Sequence, residues 1–229
     1  MRKFIIAPLF FLAFNSQAAS ITWKLTGEVE TVGEPLSHVF SIGDSVEYIF
    51  TFDSLSPDTD ANPVWGRYIN AISSATITVG SYSATIENYG IEVINDSDWG
   101  QPEDLISYHT DSTETILDGA DLLGSDNRIY RFAGLEGAFQ DQDGTPNMLS
   151  SDSLPLDLQD INNLATRETF YVNWHAWLGG GSNLGNGIST TNIQLTDITP
   201  VPIPPAAWLF GSGLIGLISF ARKFSATVD

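Results

Sequence analysis

Apolar residues recur at every second position through much of the chain. Ile21, Trp23 and Leu25 alternate with Thr22 and Lys24, and Val46, Tyr48, Phe50 and Phe52 share one face of a later segment. Successive side chains of a strand point to opposite faces, so this period predicts half-buried β-strands. Val29 and Val32 resume the pattern after Gly27 and read as a second strand. Gly43-Asp44, between Phe40 and Val46, supplies a turn that would join the second and third strands as a hairpin. Ala75, Ile77 and Val79 face Tyr82, Ala84 and Ile86 across Gly80-Ser81, which predicts a hairpin with a two-residue loop. Residues 91–94, 105–108, 128–132, 170–178 and 188–198 continue the series. Within the body between the two ends, a short helix is expected only over 155–164, where Leu156, Leu158, Ile161 and Leu164 have helical spacing. Around ten short strands joined by Gly, Asp, Asn and Ser turns predict an all-β fold, an antiparallel β-sandwich of jelly-roll type. No internal repeat of fixed period is visible, which argues against a solenoid or a propeller.

The two ends break this pattern. Arg2 and Lys3 precede an apolar core over 4–14 and a small-x-small site, Ser16-Gln17-Ala18, which together read as a secretory signal peptide over 1–18. At the other end Pro200-Val201-Pro202-Ile203-Pro204-Pro205 is followed by an uncharged run over 206–221 and then Arg222-Lys223. Prolines hold a chain extended and lack the amide donor, so 200–205 reads as a stiff spacer. The run behind it predicts a C-terminal hydrophobic helix, slightly shorter than the ~20 residues that cross a bilayer core. It has no polar face, unlike an amphipathic helix packed on a domain. One β-domain over 19–199 is therefore expected between a signal peptide and a tail over 200–229.

The tail resembles a PEP-CTERM sorting signal of the Val-Pro-Leu-Pro-Ala variety, in which a proline motif, a hydrophobic helix and a basic stop follow one another. That resemblance implies recognition by an exosortase in the inner membrane of a Gram-negative bacterium, and an association with exopolysaccharide and biofilm. It places the sorting role on Val201, Pro202, Pro204 and Pro205, with Arg222 and Lys223 as the stop. The implied route is an inner-membrane-anchored precursor that ends at the cell surface or in the extracellular matrix. Ile203 stands where the type motif has Glu, and residues 224–229 extend past the basic pair, so no cleavage position is carried over. Leu25-Thr-Gly-Glu-Val, the segment 41–53 and Gly66-Arg-Tyr resemble β-rich bodies found on such tails, which brings no activity with it. Gly211-Ser-Gly-Leu-Ile-Gly216 matches a dinucleotide fingerprint in letters only, because no strand precedes it and no acidic ribose ligand follows.

Charge narrows the function further. The chain carries 28 acidic and 9 basic residues, a net −19, and only 5 of the basic ones lie within 19–201. A nucleic-acid partner is excluded on this balance, since phosphates are held by Lys and Arg. There is no cysteine, so no disulfide contributes to stability. Asp58-x-Asp60-x-Asn62 and Asp141-x-Asp143-Gly144 have the oxygen spacing of the opening of a Ca²⁺ loop, although Pro63 stands where an EF-hand needs glycine. Asp96, Asp98, Asp118, Asp121 and Asp126 add further loop carboxylates. Two readings are open for these residues, Ca²⁺ ligation and Asx turns, and the turn reading is favoured.

Residues 170–178 form the richest aromatic run. On a strand Phe170, Val172, Trp174, Ala176 and Leu178 would face the core, and Tyr171, Asn173, His175 and Trp177 would face outward. Tyr171, His175 and Trp177 pair flat rings with hydrogen-bonding groups, the combination that packs on a sugar ring. The competing reading is a second packed face. No enzymatic activity is expected: His38, His109 and His175 form no H-E-x-x-H pair, and no G-x-S-x-G elbow exists. A polysaccharide hydrolase would need two carboxylates about 5–10 Å apart, which abundance of acid residues does not by itself supply.

Overall fold

The computed structural model describes residues 20–97, 103–109, 115–141, 149, 151–154, 156, 167–178 and 183–200. Eleven strands account for most of them: β1 (Ser20–Val32), β2 (Ser45–Asp53), β3 (Trp65–Val79), β4 (Tyr82–Glu87), β5 (Tyr89–Ser97), β6 (Glu103–His109), β7 (Ile116–Gly119), β8 (Leu122–Leu123), β9 (Ile129–Gln140), β10 (Arg167–Trp177) and β11 (Asn183–Pro200). A 3-10 turn over Glu34–Leu36 buries Leu36 between β1 and β2. The signal peptide, the tail beyond Pro200, and all of the expected helix over 155–164 except Leu156 lie outside the described residues.

The all-β expectation holds, and the sandwich does not. Laterally the strands run β2–β1–β11–β10–β9–β6–β5–β3, and β3 pairs back onto β2. Eight antiparallel strands thus form a closed barrel, to which β4, β7 and β8 are added. The physical reason lies in β3, whose 15 residues serve two parts of the wall. Its C-terminal half pairs β2 from Val46↔Val79 to Phe52↔Ile72. Its N-terminal half pairs β5 from Trp65↔Ile94 to Tyr68↔Ile91. The register shifts between these halves, where Asn70 takes a positive φ of 56°. Asn88, at φ 59°, makes the matching bend between β4 and β5. A strand shared in this way joins two sheets that a sandwich would keep apart.

The expected break at Gly27 is likewise absent, because β1 is continuous over 13 residues. It pairs β2 without interruption on one side, and β11 on the other with register shifts around Gly27. A Cβ at Gly27 would lie 2.9 Å from the Thr191 carbonyl oxygen and overlap Ile193. Glycine here permits close strand approach and does not end a strand. Both predicted turns are present. Gly43, at φ 87°, closes the connection between β1 and β2, with its amide donating to the Val29 carbonyl at 2.8 Å. Gly80, at φ 57°, lies in the two-residue loop of the β3–β4 hairpin, next to the Val79↔Tyr82 pair.

Inward-facing residues of all the long strands fill the barrel. Trp23, Trp174, Tyr48, Tyr89, Tyr130, Phe50, Phe52, Phe139 and Phe170 are fully buried, and Phe40 of the β1–β2 connection joins them. Aromatic pairs pack edge-on, as between Trp23 and Phe52 at 4.7 Å and between Phe139 and Phe170 at 5.4 Å. Two of these rings also have partners for their polar tips: the Tyr48 hydroxyl bonds Thr190 Oγ1 at 2.8 Å, and Trp174 Nε1 donates to the Tyr82 hydroxyl at 3.1 Å.

Burial carries a pH signature. Desolvation pushes the Tyr48 phenol well above its ordinary value, against a smaller lowering by Thr190, and burial followed by the charge of Glu136 does the same to Tyr89. Both phenols titrate higher folded than unfolded. Their contribution to stability is therefore intact below the unfolded value near 10 and is lost as pH rises through the folded values. We expect the urea midpoint to fall steadily above about pH 10, and Tyr48→Phe to flatten that fall. A midpoint unchanged from pH 9 to 12 would contradict it.

Candidate functional site

Strand β10 presents its two faces as its alternation requires. Phe170, Val172, Trp174 and Ala176 are buried, whereas Tyr171 is 46% exposed and His175 is exposed beside half-buried Asn173. The outer face is thus available. Trp177 pairs with Asn183 through the backbone, and its side chain lies outside the described residues.

Register decides what surrounds His175. It stands opposite Arg131 of β9 and Gly185 of β11. Asp121 adjoins the Leu122↔Tyr130 pair, and its Oδ2 lies 3.5 Å from Arg131 Nε. Asp121, Arg131, His175 and Gly185 therefore form a lateral row on the outside of the barrel. Next to it, Asn173 is flanked by Gly134 and Gly187. An open groove of about 840 Å³ follows this row, lined by Leu117, Asp121, Arg128, Ile129, Arg131, Phe132, Ala133 and His175.

The lip of the groove is the β8–β9 turn, which is rigidly built. Gly124 donates to the Arg128 carbonyl at 2.7 Å, Asn127 to the Gly124 carbonyl at 3.0 Å, and Ser125 to the Pro35 carbonyl at 2.9 Å. Asp126 organises this turn. Its Oδ2 accepts from Arg128 Nη1 at 2.8 Å and from the Tyr130 hydroxyl at 3.0 Å, and its Oδ1 accepts from the Arg128 amide at 3.1 Å. Desolvation works to raise the Asp126 carboxyl, and these hydrogen bonds outweigh it, holding the carboxyl below its ordinary range. Two arginines are thereby concentrated at one groove of an acidic chain, each beside an aspartate.

Asp58, Asp60 and Asn62 of the calcium reading accept backbone hydrogen bonds. Asp58 Oδ1 accepts from the Asp60 and Arg67 amides, both at 2.9 Å. Asp60 Oδ1 accepts from Asn62 at 2.9 Å, and Asn62 Oδ1 from Val64 at 3.2 Å. This is a succession of Asx turns leading the chain into β3. Asp141 is fully buried at the end of β9, away from that loop in sequence, and Asp143 lies outside the described residues. Among the described residues no group of three or more His, Asp or Glu is arranged to hold a metal. Val201, Pro202, Pro204, Pro205, Arg222 and Lys223 also lie outside the described residues.

The sequence singled out Tyr171 and His175, of which His175 lines the groove, but not Arg128, Arg131 or the aliphatic lining. Arg131 was legible as a strand residue, and Arg128 falls just before β9, but nothing local ties either to a histidine more than forty positions away. The chain matches no protein-family model, and no curated protein or solved structure resembles it significantly.

Proposed function

We propose that this chain is an exported, exosortase-sorted protein of a Gram-negative surface or extracellular matrix, associated with exopolysaccharide and without catalytic activity. The observation that carries this reading is the order of the tail: Pro202, Pro204 and Pro205, an uncharged run over 206–221, then Arg222-Lys223. The signal-peptide pattern over 1–18 supports it independently. Among the described residues no helix is long and apolar enough to cross a membrane, and the apolar run lies outside them. Intact-mass spectrometry of membrane and medium fractions from the producing cells tests this. Loss of residues 1–18 together with a C-terminus near 204–207 is the expected result. A C-terminus at Asp229 retained in the membrane fraction would reduce the tail to an anchor and remove the exosortase.

A second reading, a carbohydrate-binding module, is favoured by one structural observation: β10 turns Tyr171 and His175 outward, and His175 lines an open groove. Rings presented with hydrogen-bonding groups suit the C–H faces and hydroxyls of sugars. Partners on this reading are exopolysaccharide or other matrix glycans.

A further inference from the structure

We infer that the groove between β7, β8, β9 and β10, and not the Tyr171 end of β10, is the ligand site, and that its ligand is an uncharged glycan segment held by Arg131, Asp121 and His175. The inference rests on the carbohydrate reading and does not depend on how the tail is processed.

Three observations carry it. The first is the balance of charge. Arg128 and Arg131 meet Asp126 and Asp121 at the groove, two of each sign, in a chain of net −19. A polyanion would be repelled by the whole molecule while finding no local excess of positive charge, whereas hydroxyl groups need donors and acceptors side by side. The Arg131–Asp121 contact is open to this use: it is long at 3.5 Å, engages only Nε, and leaves the two side chains 80% and 49% exposed. A guanidinium carries five N–H donors and a carboxylate about four acceptor positions, so vicinal hydroxyls can bridge the pair without breaking it.

The second observation is the lining. Leu117, Ile129 and Ala133 supply apolar surface beside the polar row, and Leu117 and Ile129 are exposed. A volume of about 840 Å³ lies within the range of small-ligand clefts. The third is a missing side chain. Gly185 stands opposite His175, and a Cβ there would sit 3.7–3.8 Å from the imidazole, in ordinary contact, at an unstrained φ. Packing therefore does not demand glycine at 185. Its effect is to leave the imidazole uncovered on the β11 side; at nearby Gly187, by contrast, a Cβ would lie 2.5 Å from the Val172 carbonyl oxygen, so glycine is required there.

Native affinity electrophoresis of the secreted protein tests the inference, using gels containing dextran, laminarin, hydroxyethylcellulose, galactomannan, xylan or polygalacturonate. Retardation by at least one neutral polymer is expected. Arg131→Ala, Asp121→Asn and Gly185→Leu should each weaken it by roughly tenfold or more, with Tyr171→Ala unaffected. Gly185→Leu is decisive because it removes no polar group and covers the imidazole; a near-ultraviolet circular dichroism spectrum like the parent's confirms that it folds. Retardation that survives all three groove variants and is lost in Tyr171→Ala would overturn the groove while leaving carbohydrate binding in place. Retardation by polygalacturonate alone would overturn the uncharged ligand. Blank gels throughout would overturn both the groove and the carbohydrate reading.

Discussion

Trp174→Ala is expected to destabilise the barrel by about 3–5 kcal/mol, the cost of deleting a large buried aromatic side chain. Trp174 is fully buried and centres a cluster with Phe40 at 5.1 Å, Tyr82 at 5.4 Å and Phe132 at 6.1 Å. The rings come from the β1–β2 connection, β4 and β9, so the cavity would open where four parts of the wall meet. Its Nε1 also donates to the Tyr82 hydroxyl, and Tyr82 is nearly buried, so truncation removes a satisfied partner as well as volume. A loss of that size is a large fraction of the roughly 5–15 kcal/mol that holds a domain folded. Trp174→Phe isolates the terms, because it keeps much of the ring and loses the N–H; a cost of about 1–3 kcal/mol is expected. Urea denaturation followed by far-ultraviolet circular dichroism measures both. If either variant unfolds at the parent's midpoint, Trp174 is not part of a packed interior.

Gly137→Val is expected to cost about 1–3 kcal/mol by overpacking. Gly137 of β9 stands opposite Phe170 of β10, and a Cβ at 137 would come within 2.7 Å of the Phe170 ring. Phe170 cannot easily yield. It is fully buried, 5.1 Å from Tyr48 and 5.4 Å from Phe139 by ring centroid, and its carbonyl accepts from Thr190. Displacing it would disturb the Tyr48–Thr190 bond on the neighbouring strands. The change adds apolar volume and β-branching, which strand propensity alone would score as favourable. A raised melting temperature for Gly137→Val would therefore mean that the ring moves freely, against the packing described above.

Local alternation made much of the fold legible. The faces of β10 were readable because a strand's period of two needs no knowledge of its neighbours, and the buried and exposed residues of 170–176 follow it. The same holds for Val46, Tyr48, Phe50 and Phe52 of β2, all buried. Gly43 and Gly80 were readable as turns for an equally local reason, since both take a positive φ that glycine accepts without strain. Gly27 misled because a glycine can be chosen for what lies across the sheet, here Thr191 and Ile193, which the sequence places far away. The candidate site divides in the same manner: His175 stood out beside its aromatic neighbours, while Arg131 and Gly185 became part of its surroundings only through pairing.

The sequence by itself thus determined that the body is all-β, which side of each major strand turns to the core, where two of its turns fall, and that its surface is acidic. Only the tertiary structure decided that β3 closes the sheet into a barrel and that Asp121, Arg131, His175 and Gly185 form one row. Alternation specifies which face of a strand is buried, a property of single residues in water. Which strand lies beside it, and in what register, depends on how whole faces interdigitate and which hydrogen bonds they leave satisfied, and that sum runs over residues distant in the chain.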